Sequence, residues 1–462
     1  MRESSGKTGA KHCHRGAKCQ ASDSLGLAPR ACKDYTSGKW RGLSVEGYAR
    51  ERELSVKHNN NQLKCDLAIV GGGLAGAALA MTASRMGLSV AMIEAHGIDT
   101  FPSSLPERVI ALSHGSHRHL EQLGVWQDVV RAGVAPIRKV HVCEPGNRGE
   151  VGMHHGEADV EALGYVVQNA HILSAMYKAM PEDVQVLAPA QLRTLAVDVD
   201  GVRVGVRDVD GERNLYARLL VGADGTMSLV RRLCGIGSRG WDHNRFGLVA
   251  SVTPKIAHHD VAHECFRPDG PLAFLPLDAG RYSLVWTLAP REASRIMALD
   301  DACFMQALED AAGQGMQAHL GGFVEAGPRA LFPFEYRVAE HFTAPRVALI
   351  GNAAHTMHPV AGQGLNLGLR DVADLSAALR SAVQGGRDIG APVVLEEYAQ
   401  KRCVDTASVT AFTEGLNAIF CADLLPVKLA RGLGMAGMDR LPALRKWLLK
   451  RAAGLAQQGG AA

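Results

Sequence analysis

A chain of 462 residues is too long for one compact core and should divide into two or three domains. Its 47% hydrophobic and 21% charged residues are the balance of an ordinary soluble globular protein, which excludes a disordered or fibrous chain. A formal net charge of +3 is too small to make nucleic acid the main partner, and ten cysteines scattered without a framework pattern point to reduced thiols in a reducing compartment.

The charge is unevenly placed. Residues 1–64 carry 13 Lys/Arg against six Asp/Glu, a net of +7, which leaves −4 for the remainder. Residues 1–62 are rich in Gly, Ser, Lys, Asn and His and lack apolar periodicity, so a disordered basic leader is expected. The leader contains no continuous apolar stretch of the kind a secretory signal needs, and its acidic residues argue against an organelle-targeting peptide. His12, Cys13, His14, Cys19 and Cys32 match no zinc-ligand spacing.

From Leu67 to Ser84 the chain is uncharged, yet Gly71, Gly72 and Gly73 interrupt it directly after the β-rich run Leu67–Val70. That pattern predicts a strand, a sharp turn and a small-residue helix from about Leu74 to Met86, not a membrane span. Gly71, Gly73 and Gly76 have the G-x-G-x-x-G spacing, and Glu94 closes the next strand, Ser89 to Ile93, 18 residues after Gly76. The first glycine permits the tight turn, the second lets the backbone approach a pyrophosphate, and the third lets helix and strand pack closely. Free N–H groups at the helix start favour phosphate, and a terminal carboxylate can accept hydrogen bonds from an adenosine ribose. These features together predict a dinucleotide site.

Residues 141–215 and 245–335 read as β-rich, with Val202–Arg207 and Tyr282–Leu288 as strands, and suggest a second sheet across the cofactor. Trp286 is expected to stiffen its strand, and Cys265 and Cys303 to pack as small apolar residues. Between these regions, Leu219–Asp224 is a strand delivering Asp224-Gly225 to a loop before a short helix; a third strand, from Arg346, ends in Gly351-Asn352. His355 and His358 stand in the turn that follows, ending at Pro359, and are expected to make structural hydrogen bonds because no third metal ligand is near. The segment 424–457 has seven Lys/Arg and one acid, with Leu441, Leu444, Leu448, Ala452 and Leu455 near helical spacing. It reads equally as a helix lying on an anionic membrane and as one packed on its own domain with a solvated basic face.

The glycine motif, the run G-A-D-G-x-x-S-x-V-R from Gly222 to Arg231, and G-N-A-A-H-x-x-H-P-x-x-G-Q-G-x-N-x-G-x-x-D from Gly351 to Asp371 resemble the single-component aromatic flavin hydroxylases. Within them the chain is most similar to the ubiquinone-biosynthesis hydroxylases, and closest to the branch acting on 2-octaprenyl-6-methoxyphenol. Arg108–Ser113, Gly164–Asn169, Gly270–Pro276, Ser283–Trp286 and Tyr398–Arg402 extend the likeness over roughly residues 65–455. The resemblance implies an α/β fold: a Rossmann-like FAD-binding domain (63–140, 216–244 and 336–395), a β-sheet substrate domain (141–215 and 245–335) and a C-terminal helical segment (396–462). It implies that Gly71, Gly73, Gly76, Glu94, Arg108, Asp224, Gly225, Asn352, Gly362, Gly364, Leu365 and Asn366 bind FAD. Asp224 and Gly225 would lie where the pyrophosphate and a nicotinamide donor both pass. The turn Pro359, Gly362, Gln363, Gly364 would face the flavin, so that the following helix N-terminus stabilises negative charge on the reduced ring. Asn352 stands where most of the wider family has Asp, and its amide oxygen can still accept a hydroxyl hydrogen bond.

The resemblance further implies hydroxylation of a polyprenyl phenol with NAD(P)H and O2 through a flavin hydroperoxide, with no catalytic side chain beyond the flavin and no metal. The implied setting is cytoplasmic, with peripheral contact to the inner face of the plasma membrane through the C-terminal helix and with other quinone-synthesis enzymes as partners. The competing readings are a non-hydroxylating flavin oxidoreductase of the geranylgeranyl-reductase kind and a flavin-fold scaffold subunit of a quinone-synthesis complex.

Overall fold

The uncharged run after Leu63 folds as its sequence dictates. Leu63–Val70 is a strand, Gly71–Gly73 turn the chain, and Leu74–Ser84 is a helix packed back against the sheet. The computed structural model describes residues 63–98, 109–144, 151–357 and 363–421 together with Lys446. The leader, Arg108, His358, Pro359, Gly362 and nearly all of the basic tail lie outside the described residues.

Leu63–Val70 pairs in parallel with Val90–Ile93 on one side and with Gly211–Gly222 on the other, and Val347–Leu349 adds in parallel beyond the latter. Parallel strands covered on both faces are apolar throughout, which explains why Leu67 to Val70 show no alternation and are all buried. The strand Val184–Leu187 extends this sheet past Val90–Ile93, and Ala190–Val197 and Val202–Asp208 form a meander on Gly211–Gly222. Residues 184–208 therefore belong to the nucleotide-binding sheet, a correction to their expected place with the substrate sheet. Alternating apolar residues announce a strand but carry no information about which sheet receives it.

A second, nine-stranded sheet is built on the long strand Ser238–Pro254, flanked by Ala330–Ala339 and Tyr282–Leu288. One face carries Leu248, Ala250, Leu272, Phe274, Leu284 and Trp286, sealed by the helices Pro290–Met297 and Asp301–Leu320. Trp286 is buried in its strand as expected, with the Arg267 guanidinium 5.7 Å from its ring. Cys265 packs in this core, but Cys303 is exposed: it stands in the first turn of its helix, where its N–H donates to the Asp300 cap. A small three-stranded sheet of Val109–Ser113, Val134–Ile137 and Gly164–Gln168 shares an apolar cluster with the second sheet. Two long helices, Gln363–Gln384 and Pro392–Cys421, pack on each other, and the first of them also packs on Leu74–Ser84.

Gly76 shows why the third motif glycine is required. A Cβ there would overlap the Gly71 carbonyl oxygen and stand 3.3 Å from the Ala223 side chain, so helix and strand touch through this position. Gly76→Ala should destabilise the protein by about 1–3 kcal/mol, the usual range for overpacking a tight contact. Thermal unfolding of the variant beside wild type measures it, and an unchanged midpoint would refute the close-packing role.

Candidate functional site

Val70, Ile93, Gly222 and Leu349 are neighbours in register at the carboxyl ends of four adjacent parallel strands. The turns that follow these strands therefore stand side by side, where ligands bind in open α/β sheets. Backbone bonds stitch the edge together: Gly71 N to Ile93 O (2.8 Å), Ala223 N to Val70 O (2.7 Å) and Ile350 N to Gly222 O (2.9 Å). Three motifs spread over some 280 residues of sequence become one rim.

Along that rim the glycines divide into two kinds. Gly71, at φ +104°, and Gly76 are pressed against neighbouring backbone and leave no room for a side chain. A Cβ at Gly73, Gly225 or Gly364 would meet no atom within 4 Å, so these three backbones border open space. Gly73 and Gly364 stand at the starts of the helices Leu74–Ser84 and Gln363–Gln384, where unpaired N–H groups favour anions. Glu94 stands beside the first turn: its carboxylate accepts from Gly72 N at 2.6 Å and from His96 N at 2.9 Å. Tyr177, which no motif marks, donates its hydroxyl to the Gly72 carbonyl at 2.9 Å.

Asp224 faces its own chain. Its carboxylate accepts from Ser228 Oγ at 2.5 Å and from the N–H groups of Leu229 and Val230 at 2.6 and 3.0 Å, capping the short helix Leu229–Leu233. The buried Arg231 then ties two motifs together, donating to Thr226 O and to Ala353 O, both at 2.8 Å. Asn366 is likewise turned inward: its amide accepts from Ser113 N and donates to Ala111 O, each at 2.9 Å, clamping the small sheet to the first turn of the helix. Leu365 and Gly364 are half-buried beside it. Asn352, by contrast, is exposed on the turn Gly351–Ala353, with its side chain available to a ligand.

The Gly351-Asn352 turn is held from behind by a buried ion network. Asp371 accepts from Gly351 N and contacts His355 Nε2, both at 2.7 Å, and its other oxygen pairs with Arg402 Nε at 2.6 Å. Arg402 also reaches Asp374 (2.9 Å) and Asp405 (2.8 Å), and Arg370 reaches Asp405 at 3.0 Å. Tyr398, one turn before Arg402, donates to the Leu349 carbonyl at 2.7 Å. Burial alone would raise the Asp371 pKa, but His355 and the Arg402 guanidinium outweigh it and hold the carboxyl below its ordinary value. His355 thus makes a structural hydrogen bond, as expected. The motif residues Arg231, Asp371, Tyr398 and Arg402 were visible in the sequence as words; their roles as braces were not.

Open glycine backbones at two helix starts, an acceptor-rich carboxylate beside the first turn and an exposed amide on the third fit a dinucleotide such as FAD. The whole architecture is that of the FAD-dependent aromatic hydroxylases. It superposes on p-nitrophenol 4-monooxygenase PnpA from Pseudomonas putida with a TM-score of 0.68 at 20% identity, over 86% of this chain and all of that one. The OxyS anhydrotetracycline hydroxylase from Streptomyces rimosus follows the same fold, with a TM-score of 0.64 at 22% identity over 85% of this chain and 76% of that one. The FAD binding domain family matches residues 64–413, and the chain belongs to it. FAD is its cofactor and ring hydroxylation the chemistry of its class, with NAD(P)H the usual co-substrate. Among curated proteins, ubiquinone hydroxylase UbiL of Rhodospirillum rubrum is 35% identical over 85% of this chain and 90% of its own length. The 3-demethoxyubiquinol 3-hydroxylase of Escherichia coli is 33% identical over 84% of this chain and 98% of its own.

Replacing Asp371 by Asn leaves Arg402 buried without its closest carboxylate and should cost about 3–5 kcal/mol. Because the folded-state pKa of Asp371 is depressed, this contribution is fully present above the ordinary aspartate value of 3.8 and is lost as pH falls through the lower folded value. Denaturant melts of both proteins at pH 7 and in acid measure the difference, which should narrow only on the acid side.

Proposed function

We propose that this protein hydroxylates the aromatic ring of a prenylated phenol in ubiquinone biosynthesis, using FAD, NAD(P)H and O2. The observation that carries the reading is the meeting of three motif turns at one sheet edge, in a chain similar over most of its length to proteins named as ubiquinone hydroxylases. When bound, the flavin supplies oxygen activated from O2, and the protein must hold the ring in place and exclude water. Gly73, Gly225 and Gly364 would border the cofactor through their backbones, Glu94 would take the adenosine ribose, and Asn352 a hydroxyl of the flavin chain. Asp224, Asn366, Gly71 and Gly76 would serve by shaping the turns. Arg108, Pro359, Gly362 and Gln363 keep the cofactor-side roles that the family resemblance implies.

Among the described residues no helix is long and apolar enough to cross a membrane. Peripheral contact through the basic segment 424–457 rests on its sequence and on the lipid character of a prenylated substrate. Partnership with other quinone-synthesis enzymes rests on the resemblance alone. The domain division carries over with residues 184–208 moved to the FAD-binding part. NAD(P)H oxidation separates the readings of activity: hydroxylation requires both O2 and a phenol, a reductase requires no O2, and a scaffold consumes nothing.

Asn352→Ala removes the acceptor for a hydroxyl that the bound flavin chain would bury against it, at a cost of about 1–3 kcal/mol. FAD affinity should fall roughly 5- to 150-fold, while Asn352→Asp, which keeps an acceptor, should cost much less. Titration of the three apoproteins with FAD measures the order; an Ala variant binding as tightly as wild type removes Asn352 from the cofactor site.

A further inference from the structure

The two faces of the second sheet differ in kind. In-register partners across its strands share a face, so His263, Phe274, Leu284 and Ala250 form one row and Glu264, Ala273, Val285, Val249 and Ala330 the next. All four of the first row are buried, and Phe274, Leu284 and Ala250 belong to the core beneath the two covering helices. The second row faces the other way, and every member of it is half-buried. It is an apolar floor interrupted by one carboxyl.

The floor adjoins the cofactor side of the molecule. Ala262, two residues before Glu264 and on the same face, packs in the cluster that also takes in Ala111 of the small sheet. Ala111 is the residue whose carbonyl accepts from Asn366, in the first turn of the helix Gln363–Gln384. Two residues of strand span about 6.6 Å, so Glu264 stands one step beyond that seam. Its carboxyl has no hydrogen-bond or ion-pair partner among the described residues. Glu264 is half-buried, on the face of the sheet turned away from the two covering helices. The residues in register with it on the neighbouring strands, Val142 and Ala273, are apolar, and nothing in the packing of the sheet calls for an acid there. Apolar surface with one well-placed polar group is the usual lining of a small-molecule site.

We propose that Glu264 is a catalytic residue, the base that takes the hydroxyl proton of the phenol before its ring is hydroxylated. The inference rests on the phenol-hydroxylase reading above. In this step the phenol O–H bond breaks, its electron pair stays on oxygen, and the proton completes the carboxylic acid of Glu264. The negative charge passes from carboxylate to phenolate, and no electron changes owner. A phenolate ring is the better electron donor toward activated oxygen. Burial raises the Glu264 pKa from 4.5 to about 7, which narrows the gap to a phenol near pKa 10 and suits a base working at neutral pH. Neither its in-register neighbours nor the apolar cluster at Ala262 brings a charged group to it, so burial is the cause of that shift among the described residues.

The test uses the FAD-loaded full chain and a soluble short-chain prenyl phenol. For wild type, kcat/KM for hydroxylated product should rise with pH through about 7. Glu264→Gln keeps the shape and loses the base; product formation should fall on the order of 100- to 10,000-fold. The pH limb should vanish, while FAD content and thermal midpoint stay at wild-type values. Independently of any variant, ultraviolet absorbance of the phenol bound to wild type should show it ionising below its solution pKa. A Gln variant that hydroxylates within threefold of wild type with the same limb, or a bound phenol that ionises at its solution value, overturns the assignment. A wild-type protein that forms no hydroxylated phenol at all overturns the underlying reading and takes this inference with it.

Discussion

Asp371 and Arg402, ion-paired at 2.6 Å with no side-chain exposure, hold in place what the rest of the site depends on. A charge pair taken wholly out of water gains little net stability over an apolar substitute, but removing one partner leaves the other buried and uncompensated. Asp371 spends its second oxygen on the Gly351 N–H and on His355, so the pair fixes a turn of backbone at φ +58° that must present Asn352 outward. Both long C-terminal helices thereby serve the same turn. The first carries the carboxylate, the second carries the guanidinium, and Tyr398 adds a bond to the strand itself.

The other two turns are braced in the same way, by side chains that point into the protein. Asp224 caps a helix, Arg231 links its loop to Ala353, and Tyr177 holds the Gly72 carbonyl. The surfaces left to a cofactor are consequently mostly backbone, at Gly73, Gly225 and Gly364. This division suits a large anionic ligand, because main-chain N–H groups at helix starts bind phosphate without adding a flexible side chain to be ordered. It also separates stability from binding: the braces can be rigid while the rim stays open.

The second sheet repeats the pattern on a larger scale. Its outer face is sealed by two helices and is part of an ordinary core; its inner face is half-exposed, apolar and joined to the cofactor side through Ala262, Ala111 and Asn366. On the proposed reading, a ring held against such a floor would be kept from water on the side of the sheet. Glu264, the one ionisable group in that row, acquires its unusual proton affinity from the same exclusion of water.

The flavin was implied by the family resemblance of the three motif turns; local chemistry was legible in the amino-acid order itself, as strand, glycine turn and helix from Leu63 to Ser84 and the acid at the end of the next strand. Each of these rests on short-range rules, the steric freedom of glycine, the apolar run of a buried strand and the spacing of a helix start. Which strands share a sheet was not legible, and residues 184–208 went to the nucleotide sheet because pairing is decided by partners far along the chain. Nor could spacing show that Asp224 and Asn366 turn inward while Asn352 turns outward, or that Asp371 meets Arg402 across 31 residues. Those outcomes depend on burial: a carboxylate or amide with a partner in reach is held by it, and only the packed molecule decides which partners are in reach.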